Sequence, residues 1–175
     1  MTRIGIAALL VVAAGLSACT RPDRFGGADG AGTGPATGTA ALPGSALPGS
    51  ASDPTSPAYF SQVVGDRVLF QVDQSTLTPQ AMQTLEGQAQ WLLANASYLA
   101  VIEGHADEQG TREYNVALGA RRANAVREYL ISRGVPANRL RTISYGKERP
   151  IATCSDESCY TQNRRAVTVI SAGSV

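Results

Sequence analysis

Gly104-His105-Ala106-Asp107-Glu108-Gln109-Gly110-Thr111, followed by the run from Glu113 to Arg133, decides how this chain is read. Leu99 to His105 has the composition of a strand, and Glu113 to Arg133 has the period of a helix that Gly134 and Pro136 stop. Wound at helical pitch, Tyr114, Leu118, Ala125, Val126 and Tyr129 fall on one stripe, which predicts the face turned to a core. Arg122 falls on the same stripe. A guanidinium there needs an anion, because an unpaired buried charge is strongly destabilising, and Asp107 is the nearest supplier along the chain. Two readings follow. Asp107 and Arg122 form a structural ion pair, or they line a ligand site, since a strand end beside a helix start is where α/β folds place pockets. An acid beside a fork-shaped cation suits a zwitterion.

Outward from this stretch, Val68, Phe70 and Val72 alternate with Leu69 and Gln71 and predict a first strand. Thr78-Pro79 opens a first long helix, whose Met82, Leu85, Ala89, Leu92, Leu93 and Ala96 share a face. Trp91 lies opposite and is expected to fold over the edge of the core. Leu140 to Tyr145 and Val167 to Ile170 supply two further strands. The expected fold is α+β: a two-layer sandwich with a mixed four-stranded sheet and two main helices on one face.

The N-terminal part has a different composition. Met1 to Arg3 is a short positive end and Ile4 to Leu16 is an apolar run, too short to span a bilayer, so residues 1–18 read as a signal peptide. Leu16-Ser17-Ala18-Cys19 looks like a bacterial lipobox, in which Cys19 becomes the first residue of the mature chain and carries lipid, palmitate included. Several acyl chains would anchor firmly where one binds marginally, and Thr20 in place of Asp points to the outer membrane. Most of the 18 glycines and nine prolines precede Pro57, so residues 19–57 read as a disordered tether, and Ala41-Leu42-Pro43-Gly44-Ser45 repeats at once as Ala46-Leu47-Pro48-Gly49-Ser50. Residues 58–175 are left for the folded domain.

Several classes are set aside. Lys and Arg number 15 against 14 Asp and Glu, so a net charge of +1 makes no case for nucleic acid. His105 is the only histidine and no ligand cluster accompanies it, so no zinc centre or other cofactor is expected. A serine hydrolase lacks its nucleophile elbow, and a cell-wall hydrolase is the weakest of the functions considered. With Cys19 lipidated, Cys154 and Cys159 remain as an even pair in an oxidising compartment, which favours a disulfide over two thiols.

Gly104-His105-Ala106-Asp107 with Gly110-Thr111, Tyr114-Asn115, Leu118-Gly119 with Arg121-Arg122-Ala123, Ser144-Tyr145-Gly146-Lys147, and Asn163-Arg164-Arg165 resemble the OmpA-like peptidoglycan-binding domain family. The likeness runs from about Arg67 to Ile170 and, more narrowly, resembles the lipoproteins of the Tol-Pal system. The resemblance implies the same α+β plan and no enzymatic activity. It implies that Asp107 and Arg122 contact the diaminopimelate of the peptidoglycan stem peptide, with Asn115 and Arg165 near the pocket. Phe70-Gln71-Val72-Asp73 stands where that family often has Phe-Asp-Phe-Asp, so Phe70 could wall the pocket and Asp73 orient its polar groups. Arg164 is expected to be ordinary surface charge. Two functions remain open at this point: tethering an outer-membrane lipid anchor to the cell wall, with roles in envelope integrity and cell division, or docking mainly to a TolB-like periplasmic propeller protein and other Tol components.

Overall fold

The computed structural model describes residues 47–173. The signal peptide, Cys19 and most of the tether lie outside the described residues. A short helix α1 (Pro57–Tyr59) runs into a single wide π-type turn at Phe60–Gly65. Then come β1 (Arg67–Leu69), α2 (Pro79–Ala94), β2 (Tyr98–His105) and α3 (Arg112–Ser132). A 3-10 turn at Ala137–Arg139 leads to β3 (Leu140–Gly146), α4 (Glu157–Asn163) and β4 (Arg165–Ala172).

The strands form one four-stranded sheet in the order β1-β4-β2-β3. β2 and β3 are parallel, as the intervening α3 crossover requires, whereas β4 runs antiparallel to both β1 and β2. The sheet is therefore mixed. Its inner face carries Val68, Ala100, Ile102, Leu140 and Ala166 against Leu85, Ala89 and Leu92 of α2 and Ala123, Val126 and Leu130 of α3. On the opposite face Leu69, Ile143 and Val169 stay exposed.

Each main helix begins where its cap chemistry allows. Thr78 Oγ1 accepts from the Ala81 N–H at 3.1 Å with Pro79 at the first helical position, and Thr111 Oγ1 accepts from the Tyr114 N–H at 3.3 Å. The buried stripe of α3 is Asn115, Leu118, Gly119, Arg122, Ala123, Val126 and Leu130, so the predicted stripe is displaced about one residue and Tyr114 is exposed. Likewise Leu93 of α2 faces solvent. Two glycines set how closely α3 lies on the sheet. A Cβ on Gly104 would come 1.8 Å from the Gly119 carbonyl oxygen, and one on Gly119 would come 2.4 Å from Ser144 Oγ.

Two expectations are corrected. The first strand ends at Leu69, because the chain at Phe70 turns away after one last bond from its N–H to the Arg164 carbonyl at 2.9 Å. The domain also starts before residue 58: Ser56 is buried, and the Pro54 carbonyl accepts from Trp91 Nε1 at 2.7 Å. Trp91 packs between Phe60 and Tyr98, with ring centroids at 4.9 and 5.2 Å, so the segment before β1 forms a lid over the far side of α2.

Candidate functional site

A β-bulge marks where the sheet gives way to the site. Gly104 pairs with Ser144, but His105 pairs with Gly146, so Tyr145 is the extra residue and β3 is the bulged strand. Ala106 N–H then reaches the Gly146 carbonyl at 2.8 Å. Beyond it, Asp107 turns the chain through a bond from the Gln109 N–H to its Oδ1 at 3.3 Å. Lys147, at the end of β3, holds the same turn by donating to the Gly110 carbonyl at 2.7 Å.

Between this turn, the first turns of α3 and the segment after β1 lies a pocket of about 310 Å³. Asp73, Asp107 and Asn115 line it, together with Val72, Gln109, Gly110, Tyr114 and Leu118. Asp73 holds a left-handed backbone conformation, with φ of 59°, and its carboxylate accepts from the Tyr114 hydroxyl. Asn115 is buried and donates from Nδ2 to the Gln109 carbonyl at 2.7 Å. Both ends of the pocket are thus tied to the first turn of α3.

Arg122 is fully buried, and the ion pair with Asp107, one of the two readings of the sequence, does not form. Its guanidinium instead donates to three main-chain carbonyls: Gln74 from Nε at 2.8 Å, His105 from NH1 at 2.8 Å and Gln71 from NH2 at 3.1 Å. Its charge also lies 5.2 Å from the centre of the Phe70 ring. Burial pushes its pKa down to about 10, an effect that nearby Asp107 opposes. Carbonyl oxygens satisfy the guanidinium, so burying Arg122 requires no direct anion. Asp107 is a neighbour that stabilises the charge, and Arg122 braces the segment that carries Val72 and Asp73.

The direct partner of Asp107 is Arg164, which is buried and not surface charge. Arg164 NH1 meets Asp107 Oδ2 at 3.1 Å, and its other amino nitrogen pairs with Glu157. Burial lowers the Arg164 pKa, but the bonds to Glu157 and Asp107 more than offset this and leave it above the ordinary arginine value.

Two expected site residues lie elsewhere. Phe70 is in the core and borders a separate groove of about 390 Å³ between β1 and α2, so Val72 walls the candidate pocket in its place. Arg165 pairs with Leu69 across the sheet, on the face away from the helices, and donates to the Arg149 carbonyl at 3.1 Å and the Asn163 carbonyl at 3.4 Å. Strand alternation sends Arg164 and Arg165 to opposite faces, and that alternation was readable from the sequence once the strand start was known. His105 shares the outer face, stacked on Tyr145 at 5.6 Å. Burial, with Arg165 and Arg149 nearby, pushes its pKa down to about 4, so it is neutral at neutral pH.

Cys154 and Cys159 are joined by a disulfide, with Cα atoms 5.6 Å apart. Among the described residues, the one His, Cys, Asp or Glu group compact enough for a metal is Cys154, Asp156 and Cys159, and the bridge occupies both sulfurs. No helix among the described residues is long and apolar enough to cross a membrane.

This arrangement can be set beside known proteins. The sequence profile of the OmpA family matches residues 69–164, the span from the end of β1 to the buried arginine that meets Asp107. The chain belongs to the OmpA family. Among relatives of this OmpA-family chain, a peptidoglycan-associated lipoprotein of Rhizobium meliloti is 59% identical over 127 residues, covering 73% of this chain and 69% of the relative. One from Pseudomonas putida is 52% identical over 96 residues, or 55% of this chain and 57% of that one. The crystal structure of the peptidoglycan-associated lipoprotein of Burkholderia pseudomallei superposes with a TM-score of 0.61 at 39% identity, covering 68% of this chain and 97% of that one. The C-terminal domain of Helicobacter pylori MotB shares the fold, with a TM-score of 0.58 at 24% identity over 62% of this chain and 85% of that one.

Proposed function

We propose that the pocket at the end of β2 binds the diaminopimelate end of a peptidoglycan stem peptide, so that the domain grips the cell wall without making or breaking a covalent bond. The observation that carries this reading is the pairing of charge around the pocket. Two carboxylates, Asp73 and Asp107, line it, while the buried Arg122 cation is bonded to the carbonyls of Gln71 and Gln74, which flank Asp73, and of His105, two residues before Asp107. A zwitterion offers the complementary charges: its ammonium meets Asp107 and Asp73, and its carboxylate sits in the field of Arg122. Asn115 and Gln109 supply neutral polar groups, and Val72 and Leu118 the apolar wall. The names of the relatives, peptidoglycan-associated lipoproteins, support the same ligand class.

The rest of the function follows from the chain's N-terminal part. Lipid on Cys19 holds the outer membrane, the segment after it spans the gap, and the domain completes a non-covalent tether. Docking to a TolB-like propeller protein, and through it a part in envelope integrity and constriction at division, rests on the sequence resemblance.

Co-sedimentation with purified diaminopimelate-type sacculi tests this, using the chain from Thr20 onward. The wild type pellets with the wall and Asp107→Ala stays in solution. Equal pelleting of a folded Asp107→Ala would overturn the site. Calorimetric titration with matched muropeptides tests the ligand: a lysine stem lacks the second carboxylate and should bind about tenfold more weakly, equivalent to about 1.4 kcal/mol.

A further inference from the structure

Asp107 is the end of a chain of charge that begins at the surface. Its Oδ1 accepts from the Gln109 N–H at 3.3 Å and its Oδ2 from Arg164 NH1 at 3.1 Å. Arg164 is held in turn by Glu157, whose two oxygens face its two terminal nitrogens, and by the Phe70 carbonyl, 3.4 Å from its Nε. A buried arginine beside Asp107 would by itself cancel the negative charge that a ligand's ammonium needs. Glu157 on the far side of the same guanidinium returns that charge.

The position of Glu157 is not left to a loose loop. It is the first residue of α4, which has only seven residues and could not hold its shape alone. The Cys154–Cys159 bridge closes around it, and Asp156 caps the helix by accepting from the Ser158 N–H at 2.8 Å. At the other end Asn163, fully buried, accepts from the Ile151 N–H at 2.9 Å and donates to Glu108 Oε1, beside Asp107, at 2.8 Å. Both ends of a short helix are fixed, and its one carboxylate, Glu157, reaches Arg164.

We propose that Glu157, acting through Arg164 and held by the Cys154–Cys159 bridge, is a positioning residue that sets how strongly Asp107 attracts the cationic group of the ligand. The proposal rests on the reading of the pocket given above and adds to it a residue outside the pocket, on an element that contributes nothing to the lining.

Glu157 is mostly exposed, so Glu157→Gln removes the charge with little risk to folding, which urea denaturation of the variant checks. The probes are a diaminopimelate muropeptide and the same molecule acetylated on its side-chain amine, titrated calorimetrically against the chain from Thr20 onward. Glu157→Gln should weaken the free-amine muropeptide about threefold to tenfold, as expected for one unit charge across a partly screened distance, and leave the acetylated one unchanged. The double variant Cys154→Ser, Cys159→Ser should change affinity in the same direction by about twofold to fivefold, again only for the free amine. Equal weakening of both ligands would show a merely structural role and overturn the proposal. Asp107→Ala separates the two levels. Loss of free-amine binding in Asp107→Ala with none in Glu157→Gln sinks only the positioning role, whereas unchanged binding in Asp107→Ala sinks the pocket reading as well.

Discussion

Arg122→Met isolates what the buried guanidinium does. Methionine fills much of the same volume but donates nothing, so the carbonyls of Gln71, Gln74 and His105 each lose a donor together. The bond to His105 is buried, and an orphaned buried carbonyl costs about 1 to 3 kcal/mol. The other two lie in a partly exposed segment where water can replace the arginine, so each loss is taken as about 1 kcal/mol. The contact with Phe70 adds about 0.5 to 1 kcal/mol. Removing the cost of burying a charge offsets part of this, but the partners are carbonyls that stay behind, so the balance remains unfavourable. The expected loss is about 3 kcal/mol or more, read from urea denaturation at neutral pH. Hydrogen exchange should show the Gln74 N–H, bonded at 3.1 Å to the Gln71 carbonyl, losing protection before the core does. A loss below about 1 kcal/mol, with the Gln74 amide still protected, would refute the argument that Arg122 braces the pocket wall.

Stability should fall on acidification through His105. Its pKa lies near 4 in the folded chain against 6.5 for the ordinary side chain, so the unfolded chain binds the proton first; the contribution is complete above 6.5 and is lost as the pH falls toward 4. The loss is up to about 3 kcal/mol, and His105→Gln should flatten that part of the urea midpoint against pH profile. Gly119→Ala should destabilise by about 2 kcal/mol in a thermal melt, because the new methyl would sit 2.4 Å from Ser144 Oγ and 2.8 Å from the Gly104 carbonyl oxygen. Starting the chain at Ala58 removes the carbonyl that Trp91 Nε1 meets at 2.7 Å, so tryptophan emission should shift to the red and stability drop by about 1 kcal/mol; unchanged emission would return Pro54 to the tether.

Local chemistry in the sequence determined the α+β plan. Thr78-Pro79, the strand-like run to His105, and the stop at Gly134 and Pro136 each act within a few residues, so the order of strands and main helices was readable without knowing what packs on what. Asp107 was legible as the residue where a strand ends before a helix begins, whereas Asp73 and Asn115 entered only through the family resemblance, and the structure puts all three on one pocket. Only the tertiary structure decided who pairs with whom. The helical period put Arg122 inside but could not show that three carbonyls, from Gln71, Gln74 and His105, would satisfy it and leave Asp107 to Arg164. Phe70 and Arg165 were misplaced for a related reason: β1 ends at Leu69, and the starting residue of β4 fixes which of two adjacent arginines faces the pocket. Trp91 was readable as an edge residue, but the segment that covers it was not, because its low-complexity composition gives no sign of the one carbonyl that the indole holds. Propensity and period act along the chain, whereas hydrogen-bond partners are chosen in space, among groups that the sequence keeps tens of residues apart.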